Sequence, residues 1–123
     1  MILADTNIWA DHLRVRDEML MQHLKERRII MHPFVKGELA MGSLADRQGF
    51  LEAMDALPAA PEALDEEVID FVGRHGLHGL GIGFIDAHLL ASIRLVPNGR
   101  LWTRDKRLRK AAAKVGIATG VVN

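Results

Sequence analysis

The seven residues Met1-Ile2-Leu3-Ala4-Asp5-Thr6-Asn7 restrict the fold more than any other stretch. Met1 to Ala4 are a short unbroken apolar run, the pattern of a strand buried on both faces in the middle of a parallel sheet. Asp5 stands at its exit. Thr6 and Asn7 both suit an N-cap, and Ile8, Trp9 and Leu13 follow at helical spacing, so the unit reads as strand, tight turn, helix. Ligands of open α/β sheets bind beyond the carboxyl ends of the strands, where this unit puts Asp5. A carboxylate there is a ligand or a helix cap, and this stretch alone leaves both open.

The same alternation runs through the chain. A short helix over Met19 to Lys25 leads to a strand over Arg28 to Met31, stopped by His32-Pro33. Pro33 is suited to open a helix that runs to Gly42 and carries Glu38 at the edge of an apolar stripe. The bland role of Glu38 is pairing with Lys36 or Arg47. A helix over Ala45 to Ala56, a weak strand near Leu57 to Ala60 and an acidic helix over Asp65 to His75, with Val68, Ile69 and Val72 facing inward, come next. Five glycines between Gly73 and Gly83 make a connector without the spacing of a phosphate-binding loop. An apolar helix then begins near Phe84, its core face marked by Ile82, Ile85, Leu89 and Ile93. Asp86 lies in its first turn, where it favours the helix dipole, and His88 points elsewhere as a structural group. After a Pro97-Asn98-Gly99 turn, Arg100 to Thr103 read as a strand, with Thr103 as cap of a basic helix over Lys106 to Lys114. Gly116 and a last strand over Ile117 to Thr119 follow. Asp105 thereby repeats the position of Asp5. Strands alternating with helices imply one α/β domain over residues 1–123, with a mostly parallel sheet between helices.

At 123 residues the chain is long enough to bury roughly two thirds of its extended surface. It has no cysteine, which excludes disulfides, thiolate metal sites and thiol catalysis and fits a reducing cytoplasm. His75 and His78, with only His88 as a further nearby imidazole, do not make a zinc site. The start lacks a basic leader region, and acids, His88 and Arg94 interrupt the longest apolar stretch, which argues against a membrane span. Sixteen basic and sixteen acidic residues cancel, but they are segregated. Eight acids lie between Asp46 and Asp70, and eight bases surround Asp105 between Arg94 and Lys114. A solvated helix face explains either run; the basic one also suits phosphates.

Asp5, Glu38, Asp86 and Asp105 follow strands or lie on helices beside apolar faces, and the topology permits all four to converge. Four close carboxylates cannot all stay ionised without cations among them. Mg2+ or Mn2+ prefers such hard oxygens, with water and substrate phosphate completing the shell.

Asp5-Thr6-Asn7, Glu38 in its Gly-Glu-Leu context, Ile85-Asp86-Ala87-His88-Leu89-Leu90-Ala91 and Thr103-Arg104-Asp105-Lys106-Arg107-Leu108 together resemble the four acidic motifs of PIN domains, above all VapC-type toxins of bacterial toxin-antitoxin pairs. The resemblance spans nearly the whole chain; its one departure is Leu108, where many relatives carry an aromatic. It implies an α/β/α sandwich of about five parallel strands and an Mg2+- or Mn2+-dependent endoribonuclease. Asp5 and Asp86 would be the principal metal ligands, Glu38 and Asp105 would complete the cluster directly or through water, and Asn7 and Thr103 would orient them. Asp11 either matches a frequent additional acid or faces solvent. Water acidified by such an ion attacks phosphorus in line, leaving 5′ phosphate and 3′ hydroxyl ends. Arg104, Lys106 and Arg107 would hold the RNA backbone. A homodimer and a VapB-type antitoxin are the implied partners, with Met19, Leu20 and Met41 either contacting the antitoxin or, more in keeping with apolar residues, packing in the core. Two rival readings are a phosphoacceptor receiver domain, which wants an acidic pair after its first strand that is not visible here, and a catalytically silent PIN-like binding module.

Overall fold

A computed structural model describes residues 1–119. Among them the elements run β1 (Ile2–Ala4), α1 (Thr6–Arg14), α2 (Glu18–Lys25), β2 (Ile29–Ile30), α3 (Pro33–Ala40), α4 (Arg47–Asp55), α5 (Asp65–His75), α6 (Phe84–Arg94), β3 (Arg100–Trp102) and α7 (Lys106–Lys114). The strand order is β2-β1-β3, parallel throughout, with Leu3 opposite both Ile30 and Leu101 and Ala4 opposite Trp102. Successive strand residues point to opposite faces, and in each strand two successive residues are buried: Leu3 with Ala4, Ile29 with Ile30, Leu101 with Trp102. Helices therefore cover both faces of the sheet. This is why the strands read as apolar runs rather than as alternating ones.

The sheet has three strands among the described residues, not about five. The segments expected to extend it each make a single parallel bridge, Ala59 to Met31 and Ala118 to Leu101. At the first, Met31 N–H donates to the Pro58 carbonyl and Ala60 N–H to the Met31 carbonyl, each at 2.8 Å. Pro58 and Pro61 bracket that pairing and supply no N–H to lengthen it. At the second, Gly116 at φ 76° turns the chain immediately before Ile117, whose carbonyl accepts from Leu101 N–H at 2.7 Å.

At two helix starts an aspartate holds the cap, a role left open for Asp5 but given to Thr103 rather than Asp105. Asp5, rather than Thr6 or Asn7, caps α1: its Oδ1 accepts from Thr6 N–H at 2.8 Å. Asp105, rather than Thr103, caps α7, accepting from the N–H groups of Arg107 and Leu108 at 2.9 and 3.2 Å. Aspartate caps at least as well as threonine, and the Thr103 hydroxyl is engaged elsewhere. Two inward faces also shift. Ile69 is exposed while Val68 is buried, with Phe71 and Val72 packed beside it, and Ile85 is exposed while Ala87 through Ile93 are all buried. Helix α6 lies against α5 on one side and β1 and β3 on the other, so its buried face is wider than one 3.6-residue stripe.

Buried polar groups tie the helices together. His32 caps α3, its Nδ1 accepting from Phe34 N–H at 3.0 Å, so the ring proton sits on Nε2 and is directed at Ser92 Oγ of α6, 3.1 Å away. Burial, helped by the charge of His88, holds the His32 pKa down at about 4, so the ring is neutral. His88, itself buried, lies 2.8 Å from Asp65 at the start of α5.

Candidate active site

The carboxyl ends of β1 and β3 lie side by side, joined by Asp5 N–H donating to the Trp102 carbonyl at 2.8 Å. The chain leaves β1 through Asp5 and β3 through Thr103, so the two side chains meet. Thr103 Oγ1 donates to Asp5 Oδ2 at 2.8 Å and accepts from the Asp105 N–H at 3.1 Å. Asn7 Nδ2 reaches both Asp5 Oδ2, at 3.3 Å, and Thr103 Oγ1, at 3.1 Å, while Asn7 Oδ1 accepts from Arg104 N–H at 3.1 Å. One hydroxyl and one amide thus set the Asp5 carboxylate and the turn bearing Asp105 in a fixed relation.

Glu38 arrives from α3, the helix after β2. It is exposed and pairs with neither Lys36 nor Arg47; instead Thr6 Oγ1 donates to its Oε1 at 2.7 Å. Lys36 pairs with Asp55. Asp86 stands in the first turn of α6, its Oδ2 accepting from Gly83 N–H at 3.3 Å. Asp5 and Asp86 feel the charges of the other acids. Burial raises the Asp5 pKa, against the bonds from Thr103 and Thr6, and the charges of Glu38 and Asp105 raise it further. Burial likewise raises the Asp86 pKa, against the Gly83 N–H, and Asp5, Asp105 and Glu38 all add to the shift. Among the described residues no Lys, Arg or His comes within ion-pair distance of any of the four.

Nor do any three Asp, Glu or His side chains among the described residues form a ready metal cage. Mg2+ or Mn2+ is commonly held by only one or two carboxylates, with water and phosphate oxygens filling the octahedron, and Asp5 and Asp86 are hard oxygen donors of that kind.

No family model matches the sequence. The chain is, however, 45% identical over 118 residues to proteins named ribonuclease VapC32 from two strains of Mycobacterium tuberculosis, CDC 1551 and H37Rv, an alignment covering 96% of this chain and 95% of each relative. The chain belongs to the VapC ribonuclease family.

For a VapC-family member the expected residues fall in two groups. Asp5, Asn7, Thr103 and Asp105 share one hydrogen-bonded network at the strand ends, and Glu38 and Asp86 face the same electrostatic pocket from two helices. The three basic residues separate. Lys106 and Arg107 are exposed on α7, and neither is ion-paired among the described residues. Arg104 is instead held by Asp11 and Asp17. Thr6 was missed as a site residue: its position after Asp5 suggested only a cap, and nothing in the sequence signals a bond to a glutamate 32 residues away. Of the apolar residues weighed between an antitoxin contact and core packing, Met19 and Met41 are exposed, whereas Leu20 is the buried residue of α2 and packs in the core.

Proposed function

We infer that this protein is the toxin component of a toxin-antitoxin pair, an endoribonuclease that hydrolyses RNA phosphodiester bonds with Mg2+ or Mn2+. The observation that carries the reading is a VapC-family chain in which burial and the charges of Glu38 and Asp105 raise the proton affinity of Asp5 and Asp86, with no base ion-paired to any of the four among the described residues. Asp5 and Asp86 would hold the ion, with Glu38 and Asp105 completing the cluster directly or through water. When bound, the ion supplies the Lewis acidity that lowers the pKa of water and offsets charge on the leaving 3′ oxygen. The chain's own part is orientation. Thr103 and Asn7 fix which oxygens of Asp5 remain available, the Gly83 N–H does the same for Asp86, and Thr6 holds Glu38 toward the pocket. Exposed Lys106 and Arg107 would take the RNA backbone.

No helix among the described residues is long and apolar enough to cross a membrane. A cytoplasmic location, a single domain over residues 1–123, a homodimer and a VapB-type antitoxin complete the proposal, with Met19 and Met41 as surface candidates for the last. The test is cleavage of total cellular RNA with Mg2+, with Mn2+ and with chelator, for wild type and Asp86→Asn. Cleavage is expected only from wild type with metal. Equal activity under all conditions would sink the assignment, and an inactive wild type would favour a silent binding module.

A further inference from the structure

Arg104 lies between two residues of the acidic site, after Thr103 and before Asp105. Its guanidinium is already committed: Nη1 donates to Asp11 Oδ2 at 2.8 Å and Nη2 to Asp17 Oδ2 at 2.7 Å. Both partners are themselves anchored. Asp11 sits on α1 and also pairs with Arg14, while Asp17 caps α2, its Oδ1 accepting from Leu20 N–H at 3.0 Å and its own N–H donating to His12 Nδ1 at 2.9 Å. The Arg104 side chain is only 26% exposed. A phosphate seeking this guanidinium would have to displace two charge-assisted hydrogen bonds.

The placement has a mechanical consequence. The β3–α7 turn is joined to β1 by the Thr103 hydroxyl on the Asp5 carboxylate and by Asn7, which bonds Asp5, Thr103 and the Arg104 N–H. The Arg104 side chain adds a second tie, holding the same turn to the α1–α2 junction through two carboxylates. We propose that Arg104 is a positioning residue for the nuclease site: clamped by Asp11 and Asp17, it holds Thr103 and Asp105 in register with Asp5 and does not contact RNA. This rests on the ribonuclease reading above and replaces one of its three expected backbone contacts.

Three measurements on Arg104→Ala, Arg104→Lys and the double variant Asp11→Asn/Asp17→Asn decide it: steady-state cleavage, Mn2+ affinity by calorimetry, and the salt dependence of RNA binding in chelator. A clamp predicts that all three variants lose about 10- to 100-fold in kcat or in Mn2+ affinity, with KM within about twofold and the salt slope unchanged. Lysine does not rescue, because a point charge cannot span two carboxylates. An RNA contact predicts the opposite pattern. Arg104→Ala would then raise KM at constant kcat and reduce the salt slope by about 0.7, the share of one phosphate on a single strand, Arg104→Lys would restore both, and the double variant would bind RNA more tightly by freeing the guanidinium. That pattern overturns the proposal. If the wild type cleaves no RNA, the ribonuclease reading fails by itself, and Mn2+ affinity and salt slope still decide what Arg104 does. Because Asn caps helices as Asp does, the double variant preserves the start of α2 should the Arg104 variants fold poorly.

Discussion

Asp86 is a half-buried carboxylate facing the charges of Asp5, Asp105 and Glu38. Its folded pKa is raised above the unfolded value of 3.8, mainly by burial, so the folded state binds this proton more tightly than the unfolded state does. Stability from that source is present at low pH and is lost as pH rises through the raised value, which leaves the ionised cluster a net cost at neutral pH. Replacing Asp86 with Asn removes a charge and keeps the shape. In chelator at pH 7 the Asp86→Asn variant is therefore expected to melt above wild type while its cleavage is abolished. A lower melting temperature would mean that Asp86 contributes more through its cap on Gly83 than it costs through repulsion. The residue scale is also where the sequence was most legible: acids after apolar runs, beside capping threonines, mark strand ends. It was least legible for Thr6 and Arg104, whose decisive partners are 32 and more than 80 residues away.

Among the elements, α3 and α6 matter most, because each brings one acid to the strand ends without following directly from a strand-end acid. They are joined by His32, which caps one helix and bonds Ser92 of the other. With a folded pKa of about 4 against 6.5 unfolded, His32 refuses a proton that the unfolded chain accepts. Unlike a histidine that gains an anionic partner, its contribution is full above about pH 6.5 and falls as pH drops toward 4. Between pH 7 and pH 5 this amounts to about 2 kcal/mol. The His32→Asn variant keeps a capping side chain, so denaturant midpoints at the two pH values should lie closer together than in wild type. An unchanged gap would show that the ring titrates normally. Helix boundaries were readable from caps and prolines, whereas the broad buried face of α6 was not, because a helix wedged between a sheet and another helix buries more than one stripe.

At the scale of the whole molecule, acidic α5 and basic α7 keep the charge segregation visible in the sequence, yet the acidic pocket belongs to neither run. It is assembled beyond the carboxyl ends of β1 and β3 from four separate segments, and a cation binding there would link function to stability. Titrating Mg2+ or Mn2+ into wild type is expected to raise the melting temperature as the logarithm of concentration above the dissociation constant. Asp5→Asn should flatten that rise. Equal shifts in the two proteins would place the ion elsewhere.

Local chemistry alone determined a parallel α/β unit, its helix order and the identity of the acids, because apolar runs, caps and prolines act over a few residues. Tertiary structure decided which oxygens face which. It shortened the outer strands to single bridges, gave the caps to Asp5 and Asp105 instead of their threonine neighbours, and turned Arg104 toward Asp11 and Asp17. The reason is physical: hydrogen-bond and ion-pair choices among groups distant in sequence depend on burial and direction, and neither exists until the chain has closed on itself.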